Sequence, residues 1–453
     1  MASSNSITLQ MVAIPYPGRG HINQMLNFCK SIAHKTPDFL ITFILTEEWL
    51  GSLSAELDHG SASNIRFATI PDVLPSHKDR AKDMIGFIEA VFTKMEGPVE
   101  RLLDRLEPPE PRVIVYDMFM KWVLGVARRR GVAAASFWPM SATFFTVLFY
   151  LESLRHNGQL AANPLDDEDG ERRLTCIPGI SSIRIADVPK LDGKSQIATE
   201  IHRVYSFATK PDYILIPSLY ELESEAIDNL KNEIPTPIYT IGLTVPPVRA
   251  IHGDTNDHFS WLNAQPRASV LYISQGSFLS ASDDQLDEFV AGIRDSGIRF
   301  FLVVTAKENC ERFRERIGGG GNGLVVEWCD QLRVLLHPSV GGFWSHCGWN
   351  STKEAALSGL PVLTCPIIFD QIVNSKQIVE DWRIGWRLKS SNGGLVKRDE
   401  ISSVLKRFMD SECGKVGEMR RKAVEISEIC RKAGSEFGSA ELQIEAFIKD
   451  IAN

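Results

Sequence analysis

The 453-residue chain has no run of about 18 or more apolar residues, so no helical membrane span is expected. It has no excess of basic charge. Its 49 basic and 57 acidic residues give a formal net charge of −8, which argues against nucleic acid as the main partner. The N-terminus, MASSNSITLQMVAIPYPGRGH, lacks a basic leader, and Pro15 and Pro17 break its apolar stretch. Both features argue against a secretory signal. The eight cysteines show no CxxC spacing, and Cys329, Cys347 and Cys365 lack metal-ligand spacing. These absences leave reduced, mostly buried thiols in a cytoplasmic protein.

What is present fits a soluble globular chain: 44% hydrophobic and 23% charged residues. The length suits two domains better than one core. Apolar runs predict strands over 7–14, 40–45, 65–70, 113–116, 133–137 and 209–218. Helices are expected over 22–33 and over 81–106, the latter in two pieces around Gly97-Pro98. The stretch 234–257 carries four prolines and two glycines and reads as an interdomain linker. A second alternating set follows, with strands over 269–274, 299–304, 324–327, 340–344 and 362–365 and a helix over 283–296. A last helix is expected over 427–451, with Leu442, Ile444, Phe447, Ile448 and Ile451 along its apolar face. Alternating strands and helices imply mostly parallel sheets with right-handed crossovers. The predicted architecture is α/β: two Rossmann-like domains facing across a cleft, over 1–240 and 241–430, with a C-terminal helix (431–453) packing back on the first.

Two tempting motifs read as surface loops. Gly318–Gly323 (GGGGNG) leads into a strand and lacks the Lys-Ser/Thr of a phosphate loop. Asp167-Glu168-Asp169 imitates a metal-binding DxD string but sits in a solvated charge run, so no metal is expected.

The block from Trp328 to Gln371 is the most informative segment. It holds a strand, the loop Ser345-His346-Cys347-Gly348-Trp349, a helix opening near Asn350 or Ser351, a second strand, and Asp370-Gln371. A helix N-terminus at the carboxyl end of a parallel strand suits a diphosphate, and His346, Asn350 and Ser351 add donors there. Lys353 is expected to face solvent. Ser351-x-x-Glu354 has capping-box spacing, which competes with ribose binding by Glu354. Trp328 reads as core or as a ring that stacks on a base. Asp370 reads as an N-cap or as an acceptor for sugar hydroxyls.

The block resembles the 44-residue nucleotide-sugar box of plant family-1 UDP-glycosyltransferases. HCGWNS, Glu354, Gly359-x-Pro361 and Asp370-Gln371 all fall in register, and the similarity covers most of the chain. The resemblance implies a GT-B fold and the following roles. Trp328 stacks on uracil, and the backbone of Cys329 bonds to its edge. Gln331 and Glu354 hold the ribose. His346, Asn350 and Ser351 bind the diphosphate, with Gly276 and Ser277 on the other side. Trp349, Asp370 and Gln371 bind the sugar, and the closing Gln371 goes with glucose. His21 matches the family's general base and Asp117 the partner that orients it. The implied reaction is an inverting, metal-independent glucose transfer from UDP-glucose to a small apolar acceptor, by a monomer without a resident cofactor. The acceptor pocket is expected from 15–19, 84–92, 137–145 and 177–188, with Tyr16, Phe119, Phe137 and Ser141 named from it and its surroundings.

Departures from the family pattern are Asp330 in place of the Pro of Trp-x-Pro-Gln, Gln24 in place of the Pro of GHxxPM, and Pro139 where a Thr is common. Two rivals remain on the sequence. Gly18-Arg19-Gly20-His21-Ile22-Asn23, with Glu47 or Glu48 after the second strand, approximates the fingerprint of an NAD(P)-dependent oxidoreductase. A non-catalytic nucleotide-sugar binding protein is the other.

Overall fold

A computed structural model describes residues 9–57, 64–76, 83–161, 170–189, 207–246, 257–276, 282–304, 307–317, 322–388 and 395–453. Strand β1 (Leu9–Ile14) shows why the first half folds as it does. LQMVAI is apolar nearly throughout, and it is buried from Gln10 onward, as a central parallel strand must be. Met11 and Ala13 enter one core layer while Val12 and Ile14 enter the opposite one, the two-residue alternation of a strand covered on both faces.

Eight further strands follow in the first half: β2 (Phe39–Thr46), β3 (Ile65–Ile70), β4 (Pro111–Asp117), β5 (Ala133–Phe137), β6 (Arg173–Leu174), β7 (Ile183–Arg184), β8 (Tyr213–Ile216) and β9 (Ile238–Thr240). β6 and β7 pair with each other, antiparallel. The rest form one parallel sheet in the order β3-β2-β1-β4-β5-β8-β9. The second half adds β10 (Val270–Ser274), β11 (Arg299–Val303), β12 (Gly323–Val326), β13 (Val340–Ser345), β14 (Val362–Thr364) and β15 (Gly385–Arg387). These form a second parallel sheet, β12-β11-β10-β13-β14-β15.

The chain divides into two compact units, each built on one sheet with helices packed on it. One comprises Met1–Ala186, Lys190–Thr244 and Ala433–Asn453; the other comprises Asp187–Pro189 and Val245–Lys432. In each sheet the strand order reverses once in the middle, between β1 and β4 and between β10 and β13. Such reversals open a crevice outside the strands' carboxyl ends.

Several elements differ from their sequence expectations. The first helix begins at Arg19 rather than near 22, because Gly18 takes the N-cap position in an extended conformation. The helix pair Met84–Thr93 and Glu96–Leu103 breaks before Gly97-Pro98, which sits in the second helix's first turn, where Pro costs no hydrogen bond. The long terminal helix is two: Gly414–Ala433 and Ser439–Ala452. Phe437, at φ 63° and 81% exposed, lies in the break between them. Ile444, Phe447 and Ile451 of the last helix are buried in the first unit's core, but Leu442 faces solvent. All eight cysteines are free thiols.

Candidate functional site

His21 stands in the first turn of the helix Arg19–Lys35, not in a loop before it. Its Nδ1 lies 2.7 Å from Asp117 Oδ2. Asp117 ends β4, is fully buried, and also accepts a 3.1 Å bond from the Phe119 amide. The switch point between β1 and β4 therefore brings together two residues 96 positions apart. Because Asp117 engages Nδ1, Nε2 is the ring atom left to meet a substrate. The imidazole is 28% exposed, with Tyr16 and Phe119 beside it at centroid distances of 5.0 and 6.0 Å. Tyr16 also meets Phe119 at 6.0 Å and the buried Phe87 at 6.2 Å.

Two of the four named acceptor residues lie elsewhere. Phe137 is fully buried in the sheet core, 6.1 Å from Phe28. Ser141 is buried and caps the helix Ala142–His156, its hydroxyl accepting from the Phe144 amide. Both belong to the scaffold and not to a lining. Gln24, where the family pattern has Pro, is buried and donates to the carbonyls of Gly20 (3.1 Å) and Pro139 (2.9 Å). The two departures at Gln24 and Pro139 are therefore joined by a hydrogen bond.

In the second unit the sheet reverses beside the loop after β13. Cys347 adopts φ 66°, a left-handed conformation that strains a residue with a Cβ. Its carbonyl accepts from Asn374 Nδ2 (2.9 Å) and Thr352 Oγ1 (3.3 Å), which fixes the turn. The helix Trp349–Ser358 follows, with Gly348 at its N-cap and no side chain capping it, and it ends at Gly359 in the left-handed region. His346 is held between two glycines: a Cβ on Gly276 would lie 2.7 Å from its Nε2, and one on Gly348 2.5 Å. Burial pushes its imidazole down to about 4, so it is neutral at physiological pH, and its Nδ1 is buried without a protein partner. Gly276 ends the facing strand's turn at φ 81°. Ser277 and the string Asp167-Glu168-Asp169 lie outside the described residues.

Beyond the helix, Phe369 takes φ 62°, a second strained position, immediately before Asp370. Asp370 is the first residue of the helix Asp370–Lys376 rather than its N-cap, and its Oδ2 accepts from Asn374 Nδ2 at 2.8 Å. Asn374 thus ties Asp370 to the Cys347 carbonyl. The Gln371 amide oxygen accepts from the Ile367 and Ile368 amides (2.9 and 3.3 Å), leaving its NH₂ as the end able to face a ligand. The Trp349 side chain is 4% exposed, with its ring 6.5 Å from that of Trp382.

At the opposite end of the block, Trp328 is 53% exposed two residues beyond β12. A core role is thereby excluded, and a flat apolar face is open to stacking. Asp330 caps the short helix Gln331–Leu335 by accepting from the Arg333 amide at 3.2 Å. The cap stiffens locally what the family's Pro would stiffen. Glu354 forms no capping box, because Gly348 and not Ser351 is the N-cap. Its carboxylate accepts instead from Gln331 Nε2 at 2.7 Å, and burial pushes its carboxyl up to about 7. Gln331 Nε2 also donates to Ser351 Oγ (2.9 Å), and Gln331 Oε1 accepts from the Tyr272 hydroxyl (3.1 Å). Cys329 is buried, its thiol 3.5 Å from that hydroxyl.

Lys353 is a correction: it is 1% exposed, not at the surface, and burial holds its amine well below the usual range. The helix that carries it is packed on several sides, so no solvent face exists at that position. Sequence reasoning missed Tyr272 and Asn374. Tyr272 hides in an apolar strand, VLYIS, and only its polar tip hints at a role. Asn374 stands four residues after Asp370, a spacing at which helical side chains meet.

Comparison with known proteins gives a consistent picture. Residues 234–424 match the family described as UDP-glucoronosyl and UDP-glucosyl transferase. UDP-glycosyltransferase 87A1 of Arabidopsis thaliana is 44% identical over 97% of this chain and 99% of its own length. UDP-glycosyltransferase 87A2 of the same plant is 42% identical over 98% and 97%. Among solved structures, Medicago truncatula UGT71G1 complexed with UDP-glucose superposes with a TM-score of 0.83 at 25% identity, covering all of both chains. Os79 from O. sativa, in complex with U2F and trichothecene, gives 0.83 at 26% identity over 98% and 100%. The fold is of the GT-B type, with two Rossmann-like units.

Proposed function

The chain belongs to the UDP-glycosyltransferase family, and from that premise we propose that it transfers glucose from UDP-glucose to a hydroxyl of a small apolar acceptor. The observation that carries the mechanism is the 2.7 Å contact between His21 Nδ1 and Asp117 Oδ2. As the acceptor oxygen attacks the anomeric carbon, His21 Nε2 takes its proton. The buried Asp117 carboxylate holds the ring in the tautomer that makes this possible and balances the imidazolium. The bond between the anomeric carbon and the diphosphate breaks in line, so configuration inverts. Charge grows on the departing UDP, where the uncapped helix N-terminus at Trp349 and the orphaned His346 Nδ1 offer donors.

The donor's parts follow the block in order. Trp328 takes the uracil ring, with the Cys329 backbone at its edge. Glu354 takes ribose hydroxyls. His346, Asn350, Ser351 and Gly276 surround the diphosphate. Asp370 accepts from the sugar's hydroxyls, and the Gln371 NH₂ and the first turn at Trp349 donate to them. UDP-glucose is named in the complex of UGT71G1, and Gln371 supports the same donor here. Tyr16 and Phe119 beside His21 favour an acceptor with a flat apolar ring, such as a phenol or flavonoid. We assign the reaction to a monomer in the cytoplasm, acting without a metal. Among the described residues no helix is long and apolar enough to cross a membrane.

Three experiments test this. His21→Ala is expected to lose transfer to an unactivated hydroxyl while UDP affinity stays at the wild-type value; turnover retained on such an acceptor would remove the base role. Thermal stability measured with UDP, UDP-glucose, NADH and NADPH is expected to rise with the uridine ligands alone. A rise with the nicotinamides alone would restore the oxidoreductase alternative. Chelation by EDTA is expected to leave the transfer rate intact.

A further inference from the structure

The Gln331 amide is committed inside the protein. It has two N–H donors, and both are used, on Ser351 Oγ at 2.9 Å and on Glu354 Oε2 at 2.7 Å. Its oxygen accepts from the Tyr272 hydroxyl at 3.1 Å. Tyr272 is buried, and burial holds its phenol well above the ordinary value, so it remains a donor. The Cys329 thiol, pushed up to about 12, stays protonated and supplies the S–H that the phenol oxygen can accept at 3.5 Å. The hydrogen bonds therefore run in one direction: Cys329 to Tyr272 to Gln331 to Glu354. Both Gln331 N–H groups are thus engaged inside the protein, and one of them holds the Glu354 carboxylate, the acceptor assigned above to the ribose.

We propose that Tyr272 is a positioning residue for the nucleoside: its hydroxyl locks the orientation of the Gln331 amide, and Gln331 in turn holds Glu354 as an acceptor for the ribose 2′-hydroxyl. This rests on the UDP-sugar reading above. Reversing the amide would set its oxygen against the carboxylate. Removing the phenol oxygen would strand Gln331 Oε1 without a donor and let the side chain turn away from Glu354. The electrostatics point the same way. Burial and Asp330 raise the Glu354 carboxyl, whereas Gln331 and Lys353 lower it. Gln331 is the lowering influence that Tyr272 controls. Tyr272 also lies in the middle of the sheet, its ring 5.1 Å from Phe343 and 5.8 Å from Phe301, which makes it a stiff anchor.

The test uses the full-length chain and Tyr272→Phe, which keeps the packed ring. Each is titrated with UDP and with 2′-deoxy-UDP, and assayed with UDP-glucose and a nitrophenol acceptor. In the variant, UDP affinity is expected to fall about tenfold while 2′-deoxy-UDP affinity holds, so discrimination at the 2′ position collapses. KM for UDP-glucose should rise with kcat within about twofold, and the melting temperature should stay near that of wild type. Equal weakening for both nucleotides, or no change for either, overturns the inference. A second arm repeats Tyr272→Phe on Glu354→Gln, where no further loss of discrimination is expected; additive losses would also overturn it. Wild type that fails to bind UDP would sink the UDP-sugar reading instead, which keeps the two failures distinct.

Discussion

At the scale of single residues, local pattern and environment compete, and the structure shows which prevails. Pattern alone favoured a core position for Trp328, yet its ring is more than half exposed. Trp328→Ala is therefore expected to weaken UDP by about 1–3 kcal/mol, the worth of a stacked base, with little change in melting temperature. Calorimetry and thermal unfolding on the same sample check both parts, and a large loss of stability would return Trp328 to the scaffold. Glu354 makes a pH-dependent prediction. Burial raises its carboxyl from the ordinary 4.5 to about 7, against the lowering effect of Gln331. A raised acid favours the protonated folded form, so its stabilising contribution is full below about pH 4.5 and is lost as pH rises through about 7. The proposed nucleoside contact has the opposite sign, because ribose hydroxyls would donate to the ionised carboxylate. UDP binding should therefore release protons near pH 7, and affinity should rise between about pH 6 and 8. Calorimetry in buffers of different ionisation enthalpy would measure this. Equal proton release by wild type and Glu354→Gln would refute it. Spacing displayed Ser351 and Glu354 but not the N-cap at Gly348 that frees Glu354 from capping. A cap is decided by backbone angles, which spacing does not carry.

At the scale of elements, the loops after β10, β13 and β14 are held in costly conformations. Cys347 and Phe369 both carry positive φ without being glycine. Each is tied by a partner: Asn374 and Thr352 bond the Cys347 carbonyl, and Gln371 accepts the two amides before Phe369. Strain of about 1–3 kcal/mol at such a position persists only where the surroundings over-determine it. Gly276 belongs to the same construction. Its left-handed backbone already disfavours a side chain, and an added methyl would press on the His346 ring at 2.7 Å. Gly276→Ala is expected to displace that ring, weaken UDP by tenfold or more, at least about 1.4 kcal/mol, and lower the melting temperature. Unaltered UDP affinity in a folded variant would show that His346 is not a diphosphate ligand. Strand positions were legible from short, mostly apolar runs bounded by turn residues: 65–70 and 133–137 match β3 and β5 residue for residue, although Arg66 and Thr69 interrupt the first. Helix ends were less so. The early start at Arg19 depends on the extended N-cap at Gly18, and the break before Ser439 on a left-handed turn at Phe437; composition displays neither.

At the scale of the whole molecule, both sheets place candidate residues by the same rule, beyond the carboxyl ends of parallel strands: at the pair flanking the reversal of strand order in each sheet, and in the second sheet also after β12 and β14. The alternation of strands and helices made that architecture readable. Which distant residues would meet was not readable from pattern alone: His21 with Asp117 came through the family resemblance, and Tyr272 with Gln331 only through the folded structure. The last helix connects the scaffold to the chemistry. Ser439–Ala452 inserts Ile444, Phe447 and Ile451 into the first unit's core, where Phe447 meets Phe28, Tyr213 and Tyr239 at 6.0, 5.7 and 5.5 Å. Lys35 pairs with Glu441 and Glu445 along the same contact, and Tyr239 bonds Asp450. Phe28 and Lys35 both belong to the helix that carries His21 in its first turn. Truncating a buried Phe typically costs about 3–5 kcal/mol, a large share of a domain's net stability of about 5–15 kcal/mol. Phe447→Ala should therefore lower the melting temperature of the first unit. It should also loosen the helix on which the base stands, so kcat should fall even at temperatures where the protein remains folded. UDP affinity, assigned above to side chains of the second unit, should hold. Parallel measurements of kcat, UDP affinity and unfolding would decide it: full kcat in the folded variant would show that the His21–Asp117 pair is held by its own sheet and needs no support from the chain's last helix.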